Sequence, residues 1–428
     1  MAGIQMKNAG PSRLLTLLLT AALLLGGAVC AESPADRAAK AGQLRTVNNH
    51  RVLRLFGNDI KERGFAHGYL LAEEAVAAMD SALQSLPFFG DKKFEGRLLP
   101  WANERFAWDA DAAAEMDGIF EGIEARMGSE GAVSKALGRR VTRKDLNAIN
   151  AIADYFGPAC SGFAVWDKRS ADGGVLHARS LDFPIGARAI AGQLIMACEA
   201  LSERGKERPA RKAWVSVGWP GLIAQYTGMN ADGLVVCIHD GYNTKQGDPG
   251  DGYVPRGVLL RRMLETVDPN SGDPAAAAAK LAEERPVACG NLFQLSWPSA
   301  AARKHKQTPS AVLEFDSSAR KVDIVRMDES GALVLTNHFR VHNGAIACER
   351  FKSISNGLEM LEKAGKSIGI VEARKLMMSS EQPVAAHTVY FQPDQAKLQI
   401  ALTRENVMSP RVAPTAFTFK ELFEPAKK

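Results

Sequence analysis

The chain has 428 residues, 46% of them hydrophobic and 24% charged, with a formal net charge of +5 at pH 7. This is the composition of an ordinary globular protein, and so small an excess of positive charge on so long a chain argues against nucleic acid as a partner. No internal repeat, low-complexity tract or heptad run is present.

Residues 1 to 31 carry Lys7 and Arg13, then the apolar run Leu14 to Leu25, and end in Val29-Cys30-Ala31. A positive opening, a short apolar stretch and a small final residue predict a secretory signal cut after Ala31, hence a secreted or periplasmic protein. The apolar run is shorter than the roughly 20 residues a membrane span needs. Cys30 leaves a lipoprotein reading open, although Val29 stands where such a signal wants a small residue. Losing Lys7 and Arg13 with the leader lowers the charge from +5 to +3. The rest, residues 32 to 428, is long enough for one large domain or two modest ones. It keeps Cys160, Cys198, Cys237, Cys289 and Cys348, an odd number that predicts at least one free thiol and leaves two bridges or none for the other four. No CxxC or Cys/His cluster has metal-ligand spacing, so neither a metal nor another cofactor is expected.

A short strand, RVLRLFG, opens a region that is otherwise helical to Met127. The segments KERGFAHGYLLAEEAVAAMDSAL and ANERFAWDADAAAEMDGIFEGIEARM place apolar residues at helical spacing. His67, in RGFAHGYLLA, reads as a packing or capping residue and is not assigned to chemistry. Thr142 with Asp145 three residues on reads as an N-cap and its acidic partner, starting a helix through LNAINAIADYF to Gly157.

The next stretch, FGPACSGFAVWDKRSADGGVLHARSLDFP, is the most informative in the chain. Gly157-Pro158 breaks the helix, and Cys160 then leads a strand (CSGFAVWD), a turn (KRSADGG) and a return strand (VLHARSLDF). An antiparallel return brings Arg179 and Asp182 back beside Cys160. Further strands follow in QLIMACEA, AWVSVGWPG, IAQYTGMNADGLVVCIHDG, NLFQLSW, AVLEFD, KVDIVRMD and ALVLTNHF, with helices in VPRGVLLRRMLETV and DPAAAAAKLAEER and a closing hairpin in HTVYFQPDQAKLQIALT. The basic segment SERGKERPARK reads as a solvated hairpin tip.

A Cys before a hairpin with R-x-x-D on its second strand resembles the N-terminal nucleophile (Ntn) cysteine hydrolases. The similarity is to the acyl-coenzyme A:isopenicillin N acyltransferase group, related to choloylglycine hydrolases and acid ceramidase. Further words agree: RGFAHGYLLA resembles the family's opening R-G-x-x-H-G, GMNADGL its G-x-N-E-x-G-L strand, LVLTNHF its L-T-N strand end, and Glu349-Arg350-Phe351 its S-R-[FY] word with Glu for Ser. The resemblance implies an α+β fold, a four-layer αββα sandwich of two antiparallel sheets, with residues 32 to 428 as a single domain. It implies self-cleavage between Ala159 and Cys160, where the family usually has Gly before the Cys, giving chains 32 to 159 and 160 to 428 that stay associated. Its candidate catalytic residues are Cys160, Arg179, Asp182, Asn337 and Arg350. Asp240 stands where bile-salt hydrolases carry a second oxyanion Asn and acid ceramidase-like members a carboxylate, and is a substrate-binding or oxyanion candidate.

The chemistry so implied is hydrolysis, or acyl transfer, of a linear amide in a small N-acyl substrate. Cleavage would free the α-amine of Cys160 as base for its own thiol, so no His partner is required. Should another group take the proton, His177 and His239 lie nearest in sequence. Membrane contact is expected only through a lipid-like substrate. The competing reading is an uncleaved, non-catalytic ligand-binding relative of the same fold. A serine hydrolase has no G-x-S-x-G to rest on, nor a metalloprotease an H-E-x-x-H.

Overall fold

The computed structural model describes residues 32–85, 93–128, 130–202, 211–241, 252–317, 321–326, 331–341, 348–405 and 407–424. The expected leader, and most of the basic segment after Leu201, lie outside the described residues. Two strands, β1 (Gly42–Val47) and β2 (His50–Leu55), precede the helices α1 (Ile60–Leu70), α2 (Ala72–Ser85) and α3 (Ala110–Met127), and a small hairpin joins β3 (Val133–Ser134) to β4 (Arg139–Arg140). The capping box of Thr142 and Asp145 starts α4 (Arg143–Asn150), followed by the single turn α5 (Ile152–Tyr155). The central hairpin is β5 (Ala159–Val165) and β6 (Leu176–Asp182), paired so that Cys160 faces Leu181 and Gly162 faces Arg179.

The remaining strands are β7 (Leu194–Cys198), β8 (Trp214–Gly218), β9 (Thr227–Asn230), β10 (Val235–Asp240), β11 (Asn291–Ser296), β12 (Ser310–Phe315), β13 (Asp323–Val325), β14 (Ala332–Leu335), β15 (Ala385–Gln392), β16 (Lys397–Leu402) and β17 (Thr415–Thr418). They form a nine-stranded sheet in the order β1-β2-β7-β8-β9-β10-β11-β12-β13 and a six-stranded sheet in the order β14-β5-β6-β15-β16-β17. Neighbours are antiparallel except β2 and β7. Helices α6 (Arg256–Thr266), α7 (Glu349–Lys363) and α8 (Ile370–Ser379) complete the elements that bear on the site.

Strand alternation explains the layering. On the nine-stranded sheet Leu53, Leu55, Val236 and Ile238 pack with Phe65, Met116 and Ile119 of the helices. Its other face sets Ile195, Val215, Val217 and Cys237 against Val389, Phe391 and Ile400 of the second sheet. The far face of that second sheet places Phe163, Val165 and Tyr390 against Ile354, Leu358 and Met377 of α7 and α8. The result is helices, sheet, sheet, helices, the expected αββα sandwich.

The RGFAHGY segment has a packing explanation. A Cβ at Gly64 or Gly68 would overlap the carbonyls of Glu115 and Ile119, so α1 and α3 meet backbone to backbone. His67, fully buried between them and the core, accepts from the Gly221 amide at 3.0 Å through Nε2. All five described cysteines are free thiols, so the alternative with no bridges is the one present. Among the described residues no helix is long and apolar enough to cross a membrane.

Candidate active site

Gly157-Pro158 ends the helical region and delivers Cys160 as the second residue of β5, its side chain facing the other sheet and 0% exposed. Ala159 and Cys160 are consecutive in β5, so the geometry is that of the uncut chain. Arg179, on the same face of the partner strand, directs Nη2 to Cys160 Sγ at 3.3 Å and to the Ile238 carbonyl at 2.9 Å. The thiol itself donates to the Ile238 carbonyl at 3.3 Å. Burial pushes the Cys160 thiol up to about 11, while Arg179 and then Arg350 pull it down against Asp182 and Asp240.

Asn337, two residues beyond β14, holds the main chain of the same cysteine. Its Oδ1 accepts from Cys160 N at 2.8 Å and from Arg350 Nη2 at 2.8 Å. Two donors converging on that atom fix the amide's orientation, and Nδ2 accordingly donates to the carbonyls of Asp240 at 2.9 Å and Pro158 at 3.3 Å. Arg350, in the first turn of α7, also donates through Nη1 to the Cys160 carbonyl at 2.7 Å and to Ser161 Oγ at 3.3 Å. Asn337 and Arg350 thus hold Cys160 from its backbone while Arg179 holds it from its sulfur.

Asp182 is on the opposite face of β6 from Arg179, as a three-residue separation along a strand requires. Its Oδ2 lies 3.5 Å from Arg350 Nη1, and its Oδ1 accepts from Ser180 Oγ at 3.1 Å. Burial raises its carboxyl to about 7, opposed by Arg350, the Ser180 hydroxyl and Arg179. The Cys160 N–H goes to Asn337, and Asp182 meets the centre through Arg350. Asp240 enters by its backbone carbonyl; its carboxylate points to the helical side, 2.6 Å from Arg256 Nη1, where a Cβ on Gly157 would overlap it. Asp154 lies on the other side of that guanidinium, 3.7 Å from its Nε. His177, bonded to Ser296 Oγ at 2.9 Å, is pushed down to about 3 by burial, and burial holds His239 well below its ordinary value too.

Thr227 and His387, both on Arg179 Nη1, carry no signal in the sequence. His387 opens the run HTVYFQ, which reads only as a strand, and lies 208 positions from Arg179. The Asp154–Arg256–Asp240 cluster is equally silent, because its members sit on three separate elements. Among the described residues no group of three or more His, Cys, Asp and Glu has metal-binding geometry.

No family model and no curated protein matches the sequence. Similar solved structures include a Caenorhabditis elegans ortholog of N-acylethanolamine-hydrolyzing acid amidase, 11% identical with a TM-score of 0.40 over 55% of this chain and 93% of that one. The C2A mutant of a conjugated bile acid hydrolase from Clostridium perfringens is 14% identical with a TM-score of 0.38, over 60% and 92%. A penicillin V acylase from Agrobacterium tumefaciens is 14% identical with a TM-score of 0.38, over 60% and 84%. Likenesses this faint carry no argument about chemistry, which rests on this chain's own side chains.

Proposed function

We propose that this chain is an amide hydrolase that cuts its own Ala159–Cys160 bond and then uses the exposed Cys160 as nucleophile and base on a small N-acyl amide. One observation carries the reading. The sulfur and the main-chain nitrogen of a single buried residue are each met by a polar side chain, Arg179 at Sγ and Asn337 Oδ1 at N. In self-cleavage Sγ adds to the Ala159 carbonyl, the C–N bond breaks as a C–S bond forms, and the proton passes to the nitrogen. Water then hydrolyses the thioester, leaving a carboxylate on Ala159 and a free thiol and amine on Cys160.

An α-amine titrates near roughly 7.7 to 8.0 and is a competent base at neutral pH. It takes the thiol proton as Sγ attacks the substrate carbonyl and returns it to the leaving amine; water releases the acyl group from sulfur. Asn337 Nδ2 loses its Pro158 partner when the preceding segment withdraws, and becomes the donor for the oxyanion. Arg350, steadied by Asp182, keeps Asn337 and the Cys160 carbonyl in place. The acyl group is apolar in this reading. An apolar pocket lined by Met79, Ile152, Phe183, Ile185, Trp219 and Leu222 among others includes the residue that follows Asp182 in the chain, Phe183. The two chains stay together because β2 pairs with β7 across the cut, and Glu115 of α3 meets Arg261 of α6 at 2.6 Å in the interior. The leader, read as a signal cut after Ala31, makes the protein secreted or periplasmic. Intact-mass spectrometry of active protein tests the reading: chains 32 to 159 and 160 to 428, of roughly 14 and 29 kDa by residue count, are expected. A single uncut chain with full activity would overturn it.

A further inference from the structure

We infer that His387 is a positioning residue that acts through Arg179, serving as a neutral acceptor so that the guanidinium's charge is left to the Cys160 sulfur. The inference rests on the reading of Cys160 as nucleophile. Arg179 is fully buried, and no carboxylate among the described residues lies within ion-pair distance of it. Its partners are Thr227 Oγ1 and His387 Nε2 on Nη1, and the Ile238 carbonyl and Cys160 Sγ on Nη2. A buried cation is normally paired. Here every partner but the sulfur is neutral, and the thiolate is the counter-ion the arrangement lacks.

The neighbours of His387 determine its tautomer. Gln193 Nε2 donates to the carbonyls of Ile190 and Ala386, each at 2.9 Å, so Gln193 must present Oε1 to the ring. His387 Nδ1 lies 2.7 Å from that oxygen and carries the hydrogen, and Nε2 keeps its lone pair for Arg179 at 3.1 Å and the Thr227 hydroxyl at 3.0 Å. The ring's aim comes from an irregularity in the strand. In the pairing of β15 with β6, Ala385 faces Asp182 and His387 faces Leu181, so Ala386 is an extra residue that turns its carbonyl to Gln193. Burial, and then Arg179, hold the ring well below its ordinary pKa, so it stays neutral.

The test reads the Cys160 thiol directly, by ultraviolet thiolate absorbance against pH with the Cys160→Ala signal subtracted, in full-length protein. The charged and titratable groups acting on that thiol are Arg179, Asp182, Arg350, Asp240 and Cys237, joined in the cut protein by the α-amine of Cys160 itself, and none is altered. His387→Gln offers an amide oxygen to Arg179 and should keep the thiol pKa close to wild type. His387→Leu removes the acceptor and should raise it by about one unit, a tenfold loss of thiolate. His387→Glu supplies a rival carboxylate and should raise it further. If the Glu variant does not fold, the Gln and Leu pair carries the test. The same thiol pKa in all folded variants would overturn the inference, whether or not amide turnover falls. Failure of the hydrolase reading looks different, because the pKa order would persist in protein that neither cleaves itself nor releases amine.

Discussion

Two fully buried arginines each donate to a cysteine thiol, and they differ in what else they touch. Arg256 Nη2 reaches Cys289 Sγ while Nη1 and Nε face the carboxylates of Asp240 and Asp154. Arg179 reaches Cys160 Sγ with only neutral groups for company. Coulomb attraction in the interior is strong enough that a guanidinium between two carboxylates has little charge left for a third partner. Burial pushes both thiols up and the neighbouring arginine opposes it in each case; at Cys289 the carboxylates of Asp154 and Asp240, which face that same arginine, add to the push. A buried Arg–Cys contact is therefore not in itself a reactive thiol; what decides is whether the arginine has already been neutralised.

Removing each sulfur in turn should separate the two thiols. Cys160→Ala should abolish both self-cleavage and amide release, whereas Cys289→Ala should leave both within a few-fold of wild type, read by gel and by amine release from an N-acyl amide panel. Equal losses would mean that the two thiols are not distinguished by their arginines. Next in size, Asn337→Ala should lower the acylation rate by about 100-fold while the protein stays folded, as loss of one oxyanion donor does. An unchanged single-turnover rate would make Asn337 purely structural.

The smallest effect concerns the neutralised arginine. Burial raises the Asp154 carboxyl to about 7 although Arg256 opposes it. A carboxyl with a raised folded pKa stabilises the fold at low pH, where both states are protonated, and loses that contribution as pH rises from the ordinary value near roughly 4 to about 7. Asp154→Asn should flatten that part of the thermal-stability profile and leave amide release almost unchanged. A profile superimposable on wild type would show that Asp154 is not the group titrating there.

The central hairpin was legible because each of its signals is local: a Gly-Pro break, alternating strands, a turn rich in Asp and Gly, and a fixed count from Cys160 to Arg179. The rest of the proposed centre was legible only by word. Asn337 follows a strand and Arg350 opens a helix, positions at which those residues usually serve as turn and surface groups; their meeting at Cys160 is tertiary. β1, GQLRTV, escaped notice because it lacks a strong apolar alternation, its residues being mostly half-buried. His387 and Gln193 escaped because their contact joins β15 to the segment before β7, 194 positions apart, through an irregularity that no local pattern marks. Asp182 shows the reverse limit. The R-x-x-D count places it on the strand correctly, but alternation turns it to the face opposite Arg179, so the pair serves two different partners.

The proposed chemistry requires the free amine of Cys160. Co-expressing residues 32 to 159 with a second chain that begins Met-Cys160 exposes that amine by removal of the initiator Met, without any self-cleavage. The measurement is amide release by this assembly and by a twin that keeps one uncleavable residue before Cys160, both with the thiol intact. The first should be active and the second nearly inactive, because only the first has a free base on the nucleophile's own residue. Equal activity would contradict the account and pass the proton to another group.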